Sequence, residues 1–181
     1  MKRRLFLQSP FLAVPLTPQA KPVDRAKKGF KVEAGKDRFD QTHINAQKGV
    51  RDTKLSGQDT QGDLFIYETK HIEKGGPALH LHQEQDEWFR VIEGEYILKA
   101  GEELFRCKAG DCVFVPRKLP HAFAKVSEGP GTLLIIFQPA GKMEAFFIDR
   151  RKKGSFANRE EEQTFLRAYG MELLGPPLPV E

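Results

Sequence analysis

The stretch HLHQEQDEWFRVIEG, from His80 to Gly94, decides the predicted fold of this chain. It places two histidines two residues apart and Glu87 five residues after the second histidine. Because successive side chains of a strand point to opposite faces, His80 and His82 lie on the same face. The polar residues QEQD then predict a hairpin loop. Closing that loop pairs His82 with Glu87 and His80 with Phe89, so that two imidazoles and a carboxylate converge.

Large apolar residues of the predicted strands are expected to fill the core. They are Phe65, Tyr67, Phe89, Leu98, Phe105, Phe114, Phe123 and Phe137. A second hairpin turn at Glu93–Gly94 carries the histidine-bearing face on to Tyr96 and Leu98. Phe89, Tyr96 and Leu98 share that face, so they are also predicted to line a substrate pocket.

The converging polar groups predict a metal site. Two imidazoles and a carboxylate are costly to bury side by side, because a buried glutamate needs a partner for its charge. A divalent metal ion removes that cost, and neutral imidazole with carboxylate suits a first-row transition metal better than calcium or magnesium. A further histidine is expected, and His121 is the leading candidate, since it follows a strand that ends in a proline-bounded turn. His43 and His71 have no such spacing and are predicted to be surface or strand histidines.

These segments resemble the two motifs of the cupin superfamily. The residues that match the first motif are Gly75 or Gly76, His80, His82, Glu87 and Gly94. The residues that match the second, within GDCVFVPRKLPHAF, are Gly110, Pro116 and His121. Lys118 stands where this motif has a glycine, and Lys125 stands where it has an asparagine. The resemblance covers about residues 52–149 and is strongest to small single-domain cupins described as quercetin dioxygenase-like.

The resemblance implies an all-β fold, a double-stranded β-barrel of the cupin or jelly-roll type, with a C-terminal α-helix. It implies one divalent transition metal held by His80, His82, Glu87 and His121, with iron expected and manganese, nickel, zinc or copper as alternatives. The implied function is a metal-dependent dioxygenase acting on a small aromatic or enolic molecule, with Glu87 as the catalytic residue that either leaves the metal partly or accepts a substrate proton. Another metal-cupin enzyme (an isomerase, lyase or decarboxylase) and a non-catalytic small-molecule-binding cupin stay open. Cupins of this size commonly form homodimers, and the resemblance implies the same here.

Short apolar runs separated by turn residues fill the middle of the chain. The runs are FKVEA, GVRDTKL, DLFIYETKHI, ALHLH, EWFRVI, EYILKA, ELFRC, CVFVP, HAFAKV, TLLIIFQP and MEAFFI. Many short strands at close, regular spacing indicate an all-β sandwich or barrel. The predicted barrel domain is residues 28–149.

Residues 150–181 are predicted to form a linker and a C-terminal helix. Asn158 followed by Glu161 predicts a capping box at the start of that helix. The apolar residues that recur at near-helical spacing are Phe165, Leu166, Tyr169, Leu173 and Leu174. Gly175 and the prolines after it end the helix. The helix is expected to pack on the outside of the barrel or against a partner subunit.

Composition excludes several classes of function. The formal net charge of +4 is modest and no stripe of alternating aromatic and basic residues is present, so nucleic-acid binding is not expected. No apolar run is long enough to cross a membrane. The partner that the resemblance implies is a small-molecule substrate. At the N-terminus, residues 1–20 with Arg3 and Arg4 resemble a twin-arginine export signal, which predicts a periplasmic or exported protein. The alternative is a basic arm on a cytoplasmic protein.

Two cysteines, Cys107 and Cys112, are too few for a disulfide framework. If the residues KAGD between them form a hairpin loop, the two Cβ atoms lie about 4.5–5.5 Å apart. A disulfide needs roughly 3.8 Å between Cβ atoms. Two free, packed thiols are therefore predicted.

Overall fold

The computed structural model describes residues 29–41, 43–45 and 48–180. The predicted export signal, residues 1–20, lies outside these ranges. Within them, no helix is long and apolar enough to span a membrane.

The described chain consists mainly of short strands with two helices near its end. The strands are β1 (His43–Ile44), β2 (Val50–Leu55), β3 (Phe65–His71), β4 (Ala78–His82), β5 (Asp86–Glu93), β6 (Glu95–Ala100), β7 (Glu103–Lys108), β8 (Cys112–Val115), β9 (His121–Lys125), β10 (Gly131–Gln138) and β11 (Met171–Pro177). The helices are α1 (Met143–Lys153) and α2 (Arg159–Ala168), and Gly57–Thr60 form a 3-10 turn. Nine of the predicted strands, from GVRDTKL to TLLIIFQP, correspond to β2–β10 and are confirmed.

The strands form two antiparallel sheets. Sheet A has the order β1-β2-β3-β10-β5-β8, and sheet B has the order β11-β4-β9-β6-β7. Inward-facing side chains of both sheets meet in one core, as where the rings of Phe89 and Phe123 lie 5.8 Å apart. The predicted all-β, jelly-roll fold with a C-terminal helix is confirmed, although hydrogen bonds between the described strands do not close the two sheets into one barrel.

The predicted hairpins at QEQD, Glu93–Gly94 and KAGD are wrong. In each case the chain crosses from one sheet to the other, since β4, β6 and β7 belong to sheet B while β5 and β8 belong to sheet A. His82 pairs with Met171 in the ladder, and Glu87 pairs with Val115 and Phe137. Cys107 and Cys112 therefore do not face each other, and both thiols are free, as predicted.

Two other predicted strands are also wrong. FKVEA forms no strand. The chain after it is fixed by Asp37, whose carboxylate accepts hydrogen bonds from the N–H groups of Phe39 and Thr53 at 2.7 and 2.6 Å. MEAFFI is the first half of α1, where Met143 and Phe146 are buried.

The C-terminal helix is confirmed but shorter than predicted. Asn158 caps α2 by accepting the N–H of Glu161 at 2.9 Å, while the Glu161 carboxylate accepts the N–H of Ala157 instead of that of Asn158. The chain leaves the helix at Gly170, whose φ of 76° is in the left-handed region. Residues predicted to continue the helix form β11, which pairs with β4 and extends sheet B.

Six of the eight predicted core residues are buried, but Phe105 and Phe114 are exposed by 40% and 53%. Each lies on the edge strand of its sheet, β7 or β8. Phe114 points outward, since its neighbour Val115 is buried. Phe105 lies on the same face as Cys107 and opposite Leu98, but the edge of the sheet leaves it partly uncovered.

Candidate metal centre

The predicted ligands come from both sheets. His80 lies directly opposite His121 in the ladder between β4 and β9, and His82 lies two residues further along β4. Glu87 comes from β5 in the facing sheet. One potential ligand atom from each of these four residues lies within 4.8 Å of all the others. The structure therefore brings together three imidazoles from sheet B and one carboxylate from sheet A.

The backbone orients two of the imidazoles. Nδ1 of His80 lies 2.8 Å from the carbonyl oxygen of Ala78, and Nδ1 of His121 lies 2.9 Å from that of Leu119. Because a carbonyl oxygen only accepts hydrogen bonds, each Nδ1 carries the hydrogen. This arrangement directs Nε2 of both rings toward Glu87, and such backbone contacts are usual for metal-ligating histidines.

Charges within the cluster are coupled. Nε2 of His121 donates a hydrogen bond of 2.8 Å to Oε2 of Glu87. Burial opposes the charged form of Glu87, but this bond and the neighbouring His82 outweigh burial and lower the pKa of the carboxyl group. Burial also opposes the charged form of His121, yet its contact with Glu87 raises the pKa of the imidazole. A proton on His121 thus balances the buried carboxylate, and a metal ion would replace that proton.

His80 is held in its neutral form. Burial, followed by the charges of His121 and His82, lowers the pKa of His80 to about 3. Neutral imidazole is the form that binds a metal ion.

His82 shows that a metal ion fits this cluster. Both of its ring nitrogens are buried, and neither has a hydrogen-bond partner. Nε2 lies 3.2 Å from Oε2 of Glu87, but in an orientation that does not make a hydrogen bond. Ligand atoms about 2.1 Å from one ion lie about 3.0 Å apart in octahedral and about 3.4 Å apart in tetrahedral coordination, and the distance between His82 and Glu87 falls between these values. Three imidazole nitrogens and one carboxylate oxygen are a donor set for a first-row transition metal.

The cluster opens into a cavity of about 780 Å³. Aromatic side chains from both sheets and from α1 form much of its wall; they are Tyr67, Phe89, Phe123, Phe137, Phe146 and Phe147. Of the three residues predicted to line a substrate pocket, Phe89 lines this cavity. Tyr96 and Leu98 are buried in the core beside it and do not contribute to the wall.

His43 and His71 lie outside the ligand cluster. His43 is half-buried on β1 and contacts Arg151. His71 is buried on β3, where Nδ1 lies 2.9 Å from the Tyr96 hydroxyl and Nε2 lies 3.3 Å from Oγ1 of Thr69.

Sequence reasoning missed two contributors to the cavity. Arg51 gave no signal, because the alternating polar residues of GVRDTKL are typical of an exposed strand. Helix α1 did give a signal, since Met143, Phe146, Phe147 and Arg150 recur at helical spacing and all four line the cavity.

Comparisons with known proteins identify the family. The family described as Cupin domain matches residues 62–137, which include all four potential ligands. The uncharacterized protein MJ1618 of Methanocaldococcus jannaschii is 30% identical over 97 residues, or 54% of this chain and 68% of that protein. Among solved structures, TT1209 from Thermus thermophilus is 22% identical, with a TM-score of 0.47 over 54% of this chain and 89% of the other. An RmlC-like cupin from Shewanella frigidimarina is 20% identical, with a TM-score of 0.47 over 62% of this chain and 96% of the other.

Proposed function

Since this chain belongs to the cupin superfamily, we propose that it is a metal-dependent dioxygenase acting on a small aromatic or enolic molecule. The observation that carries the proposal is a buried cluster of three histidines and a glutamate at the wall of an aromatic cavity. A cavity of about 780 Å³ lies within the range that holds small organic ligands. The substrate class follows the resemblance to quercetin dioxygenase-like cupins.

The proposed metal ligands are His80, His82, Glu87 and His121, and iron is the expected ion. When bound, a divalent metal supplies Lewis acidity and a template that orients the reactants. Backbone contacts of His80 and His121 fix their rings before a metal arrives, which lowers the entropic cost of binding it.

Aromatic residues of the cavity would hold the substrate. Phe89 and Phe137 flank the cluster, with ring centroids 6.2 Å from His121 and 5.2 Å from His82. A planar substrate packed against these rings excludes water from the buried carboxylate of Glu87. Glu87 would then accept the proton of a substrate hydroxyl at Oε1, since Oε2 faces the Nε2 atoms of His82 and His121 and would be the oxygen that holds the metal.

Oxygen consumption tests the reaction type. Protein purified without chelator or nickel resin is first analysed for metal, and is then supplied with a panel of flavonols and smaller enols. We expect one dioxygen to disappear for each substrate consumed. Full turnover under strict anaerobiosis would overturn the proposed dioxygenase activity. The remaining explanation would be an isomerase, lyase or decarboxylase. Tight binding with no product under either condition would leave a non-catalytic binding protein.

Replacing Glu87 tests its proposed role as a base. Glu87→Gln keeps the size of the side chain but removes its charge and basicity. If Glu87 accepts the substrate proton, turnover per bound metal falls about a hundredfold or more, since general-base catalysis is typically worth 10²–10⁴. Metal content of the variant is measured in the same preparation. Unchanged turnover per bound metal would restrict Glu87 to the role of a ligand.

A further inference from the structure

Arg51 on β2 places an unpaired cation in the wall of the same cavity. Its guanidinium carbon lies 3.9 Å from the ring centroid of Phe147 and 5.3 Å from that of Tyr67. Nε is buried and has no hydrogen-bond partner, and no carboxylate of the described residues forms an ion pair with the group. The rings cover the face of the guanidinium, so its in-plane N–H donors are left for another partner.

Two other cations of the described residues, Lys125 and Arg38, have partners for their charged ends. The Lys125 ammonium donates to the carbonyl oxygens of Ser127 and Ile72 at 2.8 and 3.3 Å. Arg38, which also stacks on aromatic rings, donates to Asp59 at 3.2 Å. A buried charge without such a partner is costly, because it loses its hydration and gains nothing comparable in return. Arg51 therefore differs from these groups in a way that a bound anion would explain.

A row of aromatic rings connects Arg51 to the candidate metal centre. The ring of His82 lies 5.2 Å from that of Phe137, which lies 6.1 Å from that of Tyr67. Tyr67 in turn lies beneath the guanidinium of Arg51. A planar molecule lying along these rings would reach the metal ligands at one end and Arg51 at the other.

The charge of the cavity wall favours an anion. Two further arginines of α1, Arg150 and Arg151, line the cavity together with Arg51. Glu162 is the acidic residue of the described wall that does not belong to the ligand cluster. Cations thus outnumber free carboxylates around the space that a ligand would fill.

We infer that Arg51 binds a carboxylate of the ligand, so that the substrate class narrows to small aromatic or enolic acids. The planar guanidinium donates two parallel N–H bonds to a carboxylate, a geometry that a neutral amide cannot match. The inference rests on the proposed function in one respect, namely that this cavity is the substrate site. It does not depend on the reaction being an oxygenation.

Paired ligands of equal shape test the inference. Benzoate and cinnamate are titrated against benzamide and cinnamamide by calorimetry, with protein whose metal content is known and with the same protein after chelator treatment. We expect each acid to bind about tenfold or more tightly than its amide in both preparations, because charge-assisted hydrogen bonds are worth roughly that factor. Arg51→Met should remove this preference while affinity for the amides and metal content stay the same. Arg51→Lys should keep part of it.

Arg38→Met is the matched control, since it removes an arginine that stacks on aromatic rings outside the cavity. It should leave the preference for acids unchanged. If the preference for acids survives Arg51→Met, another group binds the ligand carboxylate and the inference is overturned. If the preference appears only in the metal-loaded protein, the metal binds the carboxylate and the inference is likewise overturned. Equal binding of acid and amide by the wild type, or no binding of either acid, would also overturn it. If Arg51→Met does not fold, the Arg51→Lys variant and the two wild-type preparations still test whether Arg51 binds the ligand carboxylate. If the protein prefers acids over amides but consumes no oxygen, only the proposed dioxygenase activity is overturned.

Discussion

Lys118 has a backbone conformation that suits glycine. Its φ of 67° lies in the left-handed region, and its N–H donates to the carbonyl oxygen of His82 at 2.7 Å. This bond ties the loop before His121 to the strand that carries two of the proposed ligands. The side chain itself is exposed. The structure therefore explains why the related motif has a glycine here and shows that lysine is tolerated at a cost in backbone strain.

Replacing Lys118 should relieve that strain. We expect Lys118→Gly to raise the free energy of unfolding by about 0.5–1 kcal/mol, because the left-handed penalty exceeds the extra entropy that glycine loses on folding. Chemical denaturation of the chelator-treated protein measures the change. Lys118→Ala keeps the strained conformation and should change stability little. An equal gain in both variants would show that the lysine side chain, rather than φ, is responsible.

His82 and His71 offer a matched test of the metal site. Both are buried histidines that line the cavity, but only His82 belongs to the ligand cluster. His82→Ala should abolish metal binding, since it removes one of four converging ligands, whereas His71→Gln should keep one metal per chain. Metal analysis of both variants, purified without chelator, measures the outcome. Equal metal content in the two variants would contradict the assignment.

At the scale of elements, strand alternation predicted that His80, His82 and Glu87 converge, but not how the strands pair. Alternation determines which side chains share a face, and it correctly grouped His80 with His82. It does not determine whether the next strand continues the same sheet or crosses to the facing one. Glu87 meets His82 in either arrangement, because a hairpin places them side by side and a crossing places them face to face. The side chains therefore converge as predicted, although the predicted hairpin was wrong.

The C-terminal elements were harder to predict because their partners lie far away in sequence. The apolar run of α1 is short and resembles a strand until its spacing is compared with the helical period. Residues 171–177 form a strand because the edge of β4 is available to pair with them, and local sequence does not reveal that edge. Tertiary pairing thus decided β11, whereas the helical spacing of α1 was present in the sequence.

Helix α1 is anchored by its first turn. Oε2 of Glu144 accepts hydrogen bonds from Oγ of Ser56 at 2.8 Å and from the N–H of Gly57 at 3.1 Å. Ser56 is fully buried, so loss of the carboxylate leaves its hydroxyl with a poorer set of partners. We expect Glu144→Ala to lower the free energy of unfolding by about 1–3 kcal/mol, measured by chemical denaturation.

Glu160→Ala provides the control for that measurement. Glu160 is also an acidic residue in the first turn of a helix, but it is exposed. Its removal should change stability by no more than about 0.5 kcal/mol. A similar loss in both variants would assign the effect to the helix dipole instead of the contact with Ser56 and Gly57.

At the scale of the whole molecule, residues 143–177 complete the cavity that the preceding strands begin. Strands β3, β4, β5, β9 and β10 supply the proposed metal ligands and aromatic side chains of the wall, while α1, α2 and β11 add Phe146, Leu166 and Met171. A ligand held between them contacts residues distant in sequence from the histidine motif. We therefore expect substrate specificity to depend on residues 143–177 as much as on the strands that carry the proposed metal ligands.

The stability of the metal-free protein should report on His71, which is buried in the same core. Burial, followed by the charges of Arg51 and Lys125, lowers the pKa of His71 to about 4. An unfolded histidine titrates near pH 6.5, so between pH 6.5 and about 4 the unfolded chain binds a proton that the folded chain does not. Stability must then fall as the pH falls through this window, by about 1.4 kcal/mol per pH unit from this group. Denaturation of the chelator-treated protein from pH 7 to pH 4 measures the slope.

His71→Gln, which retains groups that can hydrogen-bond to Tyr96 and Thr69, should reduce this slope by that amount. An unchanged slope in the variant would show that His71 is not the group responsible.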